Sequence, residues 1–116
     1  MATFIVNALP ASVLLGAIDD RTGSGRVVMQ RITPDEFRAL AVGSDAQSAV
    51  GHEDTARILT EMVGLPVAFN RQSVPPFGDG CDELLCGLYT GPRLPEGATS
   101  LPEGGKLDLV RVRQYK

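Results

Sequence analysis

The sequence predicts an α/β fold: a small single domain over residues 1–116, with one mixed β-sheet of about five strands flanked by helices. Three features point there. Continuous apolar runs such as Phe4-Ile5-Val6 suit strands buried on both faces. Ala56, Leu59, Met62 and Val63 recur at the spacing of one helix face. The chain has 116 residues, 43% of them apolar, which is enough for one core and leaves little room for a second. No repeat, low-complexity tract or linker divides it.

In chain order, Thr3 to Asn7 reads as the first strand. Pro10 breaks the pattern, and Ser12 to Leu15 forms a short helix. Asp19 to Gly25 is a turn-rich loop. Arg26 to Ile32, rich in Val and Ile, is the second strand. Thr33-Pro34-Asp35-Glu36 opens a helix: Thr33 caps the amide of Glu36, Glu36 reaches back to the amide of Thr33, and Pro34 falls at the first helical position. Phe37, Leu40 and Ala41 continue it to a stop near Gly43. A third helix covers Glu53 to Val63, with Arg57, Thr60 and Glu61 toward solvent and Gly64 then Pro66 as stop signals. Val67 to Val74 is expected as the third strand, Pro75 to Gly80 as irregular loop, Leu84 to Thr90 as the fourth strand. Gly91 to Gly105 is loop, and Leu107 to Tyr115 is the last strand.

Composition excludes several function classes. A net charge of −3 argues against broad binding to DNA or duplex RNA, which needs a basic surface. It leaves open a small anionic ligand held by a few arginines. No tract is long enough to span a membrane, and the apolar part of Met1 to Val6 is too short for a secretory signal, so a cytoplasmic protein is expected. Cys81 and Cys86 make neither a disulfide framework nor, with one histidine in the chain, a convincing zinc site; reduced thiols and no metal or other cofactor are expected. A deep private site is hard to build from so small a domain, which makes pairing into a homodimer the reasonable expectation.

The segment Gly51-His52-Glu53-Asp54-Thr55 carries the most chemistry. Gly51 lets the backbone approach a ligand. His52 enters a helix N-terminus, where free amides favour an anion such as phosphate. Imidazole exchanges protons near neutral pH, and phosphodiester cleavage needs the departing oxygen protonated. His52 is equally readable as an ordinary first-turn surface residue. Arg71 can clamp a phosphate or stand free at a strand edge. Arg93 and Glu96, in Arg93-Leu94-Pro95-Glu96-Gly97, can stabilise and orient phosphoryl charge or form a weak surface ion pair. Asn7 can bind a ribose hydroxyl or a base edge, or serve a turn.

Val6-Asn7-Ala8 with Ser12 beyond it, Gly51-His52-Glu53-Asp54-Thr55 leading into a helix closed by Gly64, Asn70-Arg71, and Arg93-Leu94-Pro95-Glu96-Gly97 occur here as one ordered set. The set resembles the small viral anti-CRISPR ring nucleases that counter type III CRISPR immunity, and their cellular relatives called CRISPR ring nuclease 2. The resemblance spans nearly the whole chain. It implies a homodimer holding cyclic tetra-adenylate across its two-fold axis, and metal-independent cleavage to linear di-adenylates that switches off type III signalling. The catalytic positions fall on His52, Arg93 and Glu96, and ligand-binding positions on Asn7, Ser12, Gly51 and Arg71. The setting implied is the host cytoplasm for a viral member. The chain departs from the viral form in its proline- and glycine-rich loops at Pro75–Gly80 and Gly91–Gly105; the viral form carries a helix where this chain has Gly97 to Gly105.

On this reading a ribose 2′-hydroxyl is the nucleophile, in-line attack depends on how the ring is held, Arg93 stabilises growing charge and His52 protonates the leaving 5′-oxygen. Two alternatives remain: a non-catalytic sensor or sponge that releases a cyclic oligonucleotide intact, and a protein-interaction module in which His52 only starts a helix.

Overall fold

The computed structural model describes residues 2–115. A five-stranded mixed sheet forms its middle layer. The elements are β1 (Ala2–Val6), α1 (Ala11–Leu15), β2 (Ile18–Asp19), β3 (Ser24–Gly25), β4 (Val27–Arg31), α2 (Pro34–Gly43), β5 (Gln47–Ser48), α3 (Glu53–Val63), β6 (Cys81–Thr90) and β7 (Lys106–Gln114). The sheet order is β4-β7-β6-β1-β5. β1 runs parallel to both neighbours, with Val6 opposite Cys86 on β6 and Ile5 opposite Ser48 on β5. β7 is antiparallel to β6 and to β4.

The apolar runs take the central places. Phe4, Ile5 and Val6 on β1, and Leu84, Leu85 and Cys86 on β6, are all buried, because both sheet faces are covered. On one face α2 and α3 bury Phe37, Ala41, Ile58, Leu59 and Val63 against Ile5, Leu85 and Leu109. On the other, α1 and the Phe77 loop bury Val13 and Phe77 against Phe4, Leu84, Cys86 and Val112. The helix starts and stops follow the sequence signals. Thr33 and Glu36 exchange side-chain-to-amide bonds of 3.1 and 3.0 Å in a complete capping box. Gly64 ends α3 in the left-handed conformation at φ 69°, which a side chain would strain.

Four expectations are corrected. Val67 to Val74 is not a strand: it makes one isolated parallel bridge, Phe69 to Val50. Its polar side chains replace a backbone ladder. Asn70 Nδ2 and Gln72 Nε2 donate to the carbonyl of Ser48 at 2.9 and 2.7 Å, and Arg71 Nε donates to the carbonyl of Gly51 at 3.0 Å. The strand at that edge of the sheet is instead the two-residue β5. The Asp19–Gly25 loop belongs to a small hairpin, β2 with β3, closed by hydrogen bonds that the Thr22 and Gly23 amides donate to the Asp19 carbonyl. The fourth predicted strand begins earlier, at Cys81, and runs through ten residues. Thr60, expected toward solvent, is half-buried, and its hydroxyl accepts from the amide of Val67 at 2.9 Å, pinning the chain after α3. No helix among the described residues is long and apolar enough to cross a membrane.

Candidate functional site

The three parallel strands β6, β1 and β5 are adjacent, so their C-terminal ends lie on one edge of the sheet. Asn7 follows β1, the Gly51–His52 turn follows β5, and Arg93 follows β6. Crevices at the carboxyl ends of parallel strands are the usual ligand sites of open α/β sheets. Two neighbouring clefts occupy this edge. One, of about 840 Å³, is lined by Asn7, His52, Arg93 and Glu96 together with Asp54, Thr55 and Tyr89. The other, of about 550 Å³, is lined by Asn7, Ser12, Gly51 and Arg71 together with Gln72 and Ser73. Asn7 borders both, so all seven candidate residues fall in one continuous region.

His52 is the N-cap of α3. Its Nδ1 accepts from the Thr55 amide at 3.3 Å and lies 3.2 Å from the Thr55 hydroxyl, which is buried. A neutral ring that accepts at Nδ1 carries its proton on Nε2. No protein group among the described residues engages Nε2. The cap thus holds the ring by one nitrogen and leaves the other without a protein partner among the described residues, on a residue that lines the cleft. Capping polarity helps in a second way: α3 begins with Glu53 and Asp54, acids that complement its N-terminal dipole.

Asn7 and Arg71 brace the turn before His52. Asn7 Oδ1 accepts from the Gly51 amide at 3.0 Å, and Arg71 Nε donates to the Gly51 carbonyl at 3.0 Å. The Arg71 guanidinium also lies 5.9 Å from the centre of the half-exposed Phe69 ring, a cation–π distance. Both residues therefore shape the loop as well as line a cleft. Ser12 sits exposed on α1. Arg93 and Glu96 are exposed, and among the described residues neither forms an ion pair, so the surface-pair reading of these two is not what the fold builds.

Tyr89, Gln72 and Ser73 were not singled out from the sequence, and Asp54 and Thr55 were named only within the Gly51–Thr55 segment without a role, although all five line the clefts. Asp54 and Thr55 had a signal available: they follow His52 in the first turn of its helix. Tyr89 had none, since a half-buried strand tyrosine reads as core. Among the described residues no group of three or more His, Cys, Asp or Glu side chains could hold a metal ion. Cys81 and Cys86 are free and buried on the α1 side of the sheet, away from the clefts.

Comparison with known proteins places the fold. Among solved structures the chain is similar to B116 of Sulfolobus turreted icosahedral virus, with 18% sequence identity and a TM-score of 0.68, covering 97% of this chain and 99% of that one. That likeness is one of fold. No curated protein matches the chain. A model of the STIV B116-like family matches residues 3–104, which take in every candidate residue of both clefts. This chain belongs to the STIV B116-like family.

Proposed function

We propose that the chain is a metal-independent ring nuclease that cleaves cyclic tetra-adenylate to linear di-adenylates, working as a homodimer whose two copies share one ring. The observation that carries this reading is the convergence of His52, Arg93 and Glu96 on one cleft, from two different loops, beside a second cleft holding Ser12, Gly51 and Arg71. The ordered set of residues that resembles the ring nucleases thus forms one region of the surface.

The chemistry follows from the groups present. The ribose 2′-oxygen attacks the adjacent phosphorus, its proton passing to Glu96 or water, and the bond from phosphorus to the 5′-oxygen breaks. The resting His52 ring accepts the Thr55 amide at Nδ1. A proton taken from solvent at Nδ1 replaces the bond accepted from the Thr55 amide with one donated to the Thr55 hydroxyl, 3.2 Å away, giving an imidazolium whose Nε2–H protonates the leaving 5′-oxygen. Arg93 offers its guanidinium fork to the phosphoryl oxygens as charge grows. The product carries a 2′,3′-cyclic phosphate. Two copies present two His52 side chains to a ring of four equivalent linkages, so cleavage at opposite linkages gives two di-adenylates.

The test is incubation with cyclic oligoadenylates of several sizes, with and without EDTA, followed by chromatography of the products. Linear di-adenylate from the tetra-adenylate, unaffected by EDTA, is the expected result. A ring recovered intact after prolonged incubation, together with a ligand-induced rise in melting temperature, identifies a sensor or sponge and overturns cleavage. Neither cleavage nor a thermal shift overturns cyclic-oligonucleotide binding altogether.

A further inference from the structure

The segment Arg93–Glu96 lies in a long loop between β6 and β7, yet it is not left to find its own place. Among the described residues, two hydrogen bonds join residues 92–101 to the rest of the domain, and they fall on either side of that segment. The Tyr89 hydroxyl donates to the carbonyl of Pro92, immediately before it. Asp54 Oδ1 accepts from the amide of Gly97, immediately after it, at 3.2 Å. Gly97 sits at φ 77°, where a side chain would be strained, so the turn at this bond favours glycine. Asp54 itself is held: the same Oδ1 takes a 2.6 Å bond from Arg57 Nη1, and Arg57 is fixed in turn by Glu53 at 2.8 Å. The Asp54 side chain is only 16% exposed. Leu94, Ala98 and Leu101 pack against the core, a non-directional contact that the two hydrogen bonds supplement with direction.

The geometry points to Asp54 as a positioning residue, acting with Tyr89 as a two-point clamp that sets Arg93 and Glu96 against His52. One helical turn then does two jobs. Thr55 orients the His52 ring, and Asp54, beside it in the chain, anchors the opposite wall of the same cleft. The distance between the proton donor and the phosphate-holding arginine is thereby referred to a single rigid element. This inference rests on the ring-nuclease reading for its kinetic consequence, and on geometry alone for its structural one. Misplacing a reacting group by about 1 Å can cost about 100-fold in rate, which gives such a clamp its value.

The experiment compares Asp54→Ala with Asp54→Asn, whose amide oxygen still accepts from Gly97, and with Tyr89→Phe, which removes the other bond without touching α3. Hydrogen–deuterium exchange mass spectrometry reads the loop, and single-turnover cleavage of cyclic tetra-adenylate reads the site. Asp54→Ala and Tyr89→Phe are expected to speed exchange across residues 92–101, and Asp54→Asn to leave it near that of the unsubstituted protein. Asp54→Ala is expected to lose about 10- to 100-fold in cleavage rate with little change in Kd for the ring, and Asp54→Asn to recover most of it. A general loss of structure would not produce that split between rate and binding, or the rescue by asparagine. Unchanged loop exchange in Asp54→Ala and Tyr89→Phe, full cleavage by Asp54→Ala, or an asparagine variant as impaired as the alanine one overturns the clamp. If the unsubstituted protein leaves the ring intact, the ring-nuclease reading falls and the exchange data alone decide the clamp.

Discussion

His52 carries two duties that a single substitution would confuse. As N-cap it satisfies the Thr55 amide, and as the proposed acid it offers Nε2 to the cleft. Alanine removes both. It should destabilise the fold by about 1 kcal/mol through the lost cap and slow cleavage by about 10²–10⁴ through the lost acid. Asparagine is among the best N-cap residues but cannot donate a proton as imidazolium does. His52→Asn should therefore keep the melting temperature of the unsubstituted protein and still lose cleavage, measured by thermal denaturation and product chromatography side by side. Cleavage undiminished in His52→Asn would reduce the histidine to a cap. The sequence alone placed His52 at a helix start, because glycine before it and acids after it are local signals. It could not reveal that Asn7 and Arg71 each bond to Gly51, since those partners lie 44 and 20 residues away in the chain.

At the level of elements, the position of His52 depends on how α3 sits on β6. Gly87 decides that spacing: a Cβ there would fall 2.6 Å from Leu59 Cδ2 and 2.9 Å from its Cδ1. Leu59 is fully buried, so its side chain can yield only by pushing on the close-packed core around it. Gly87→Ala should accordingly overpack the interface and destabilise the domain by about 1–3 kcal/mol in urea unfolding, with the denaturant slope unchanged. A variant as stable as the parent would mean that the Leu59 side chain gives way and that Gly87 does not set the spacing. The elements that were legible in the sequence are those with dense local signals: the Thr33–Glu36 box, the apolar stripe of α3 and the Phe4–Val6 run. Val67 to Val74 misled because its apolar ends look like a strand. Its middle, Asn70 to Gln72, reaches neighbouring carbonyls through side chains, a long-range arrangement that periodicity does not record.

Across the whole molecule, the site exists because of sheet order. Residues 7, 52 and 93 meet only because β5, β1 and β6 lie side by side and parallel, and nothing local in the chain specifies that order. The same central strand, β6, carries Cys81 and Cys86 into the core, and burial pushes their thiols up to about 11 and about 12 from an ordinary 9.0. The pH dependence of stability follows. Below about pH 9 both thiols are protonated in the folded and unfolded chains, and their contribution is constant. Above it the unfolded chain releases protons that the folded chain retains until about pH 11–12, so unfolding becomes easier as pH rises. Each thiol should remove up to about 1.4 kcal/mol per pH unit in that window. Urea unfolding should then give a flat stability from neutral pH to just below 9 and a fall beyond it. Cys86→Val, apolar and close in volume, removes one of the two protons and should make that fall about half as steep. Stability that stays flat to pH 10, or a slope untouched by Cys86→Val, would mean that the thiols ionise as readily in the fold as in the open chain.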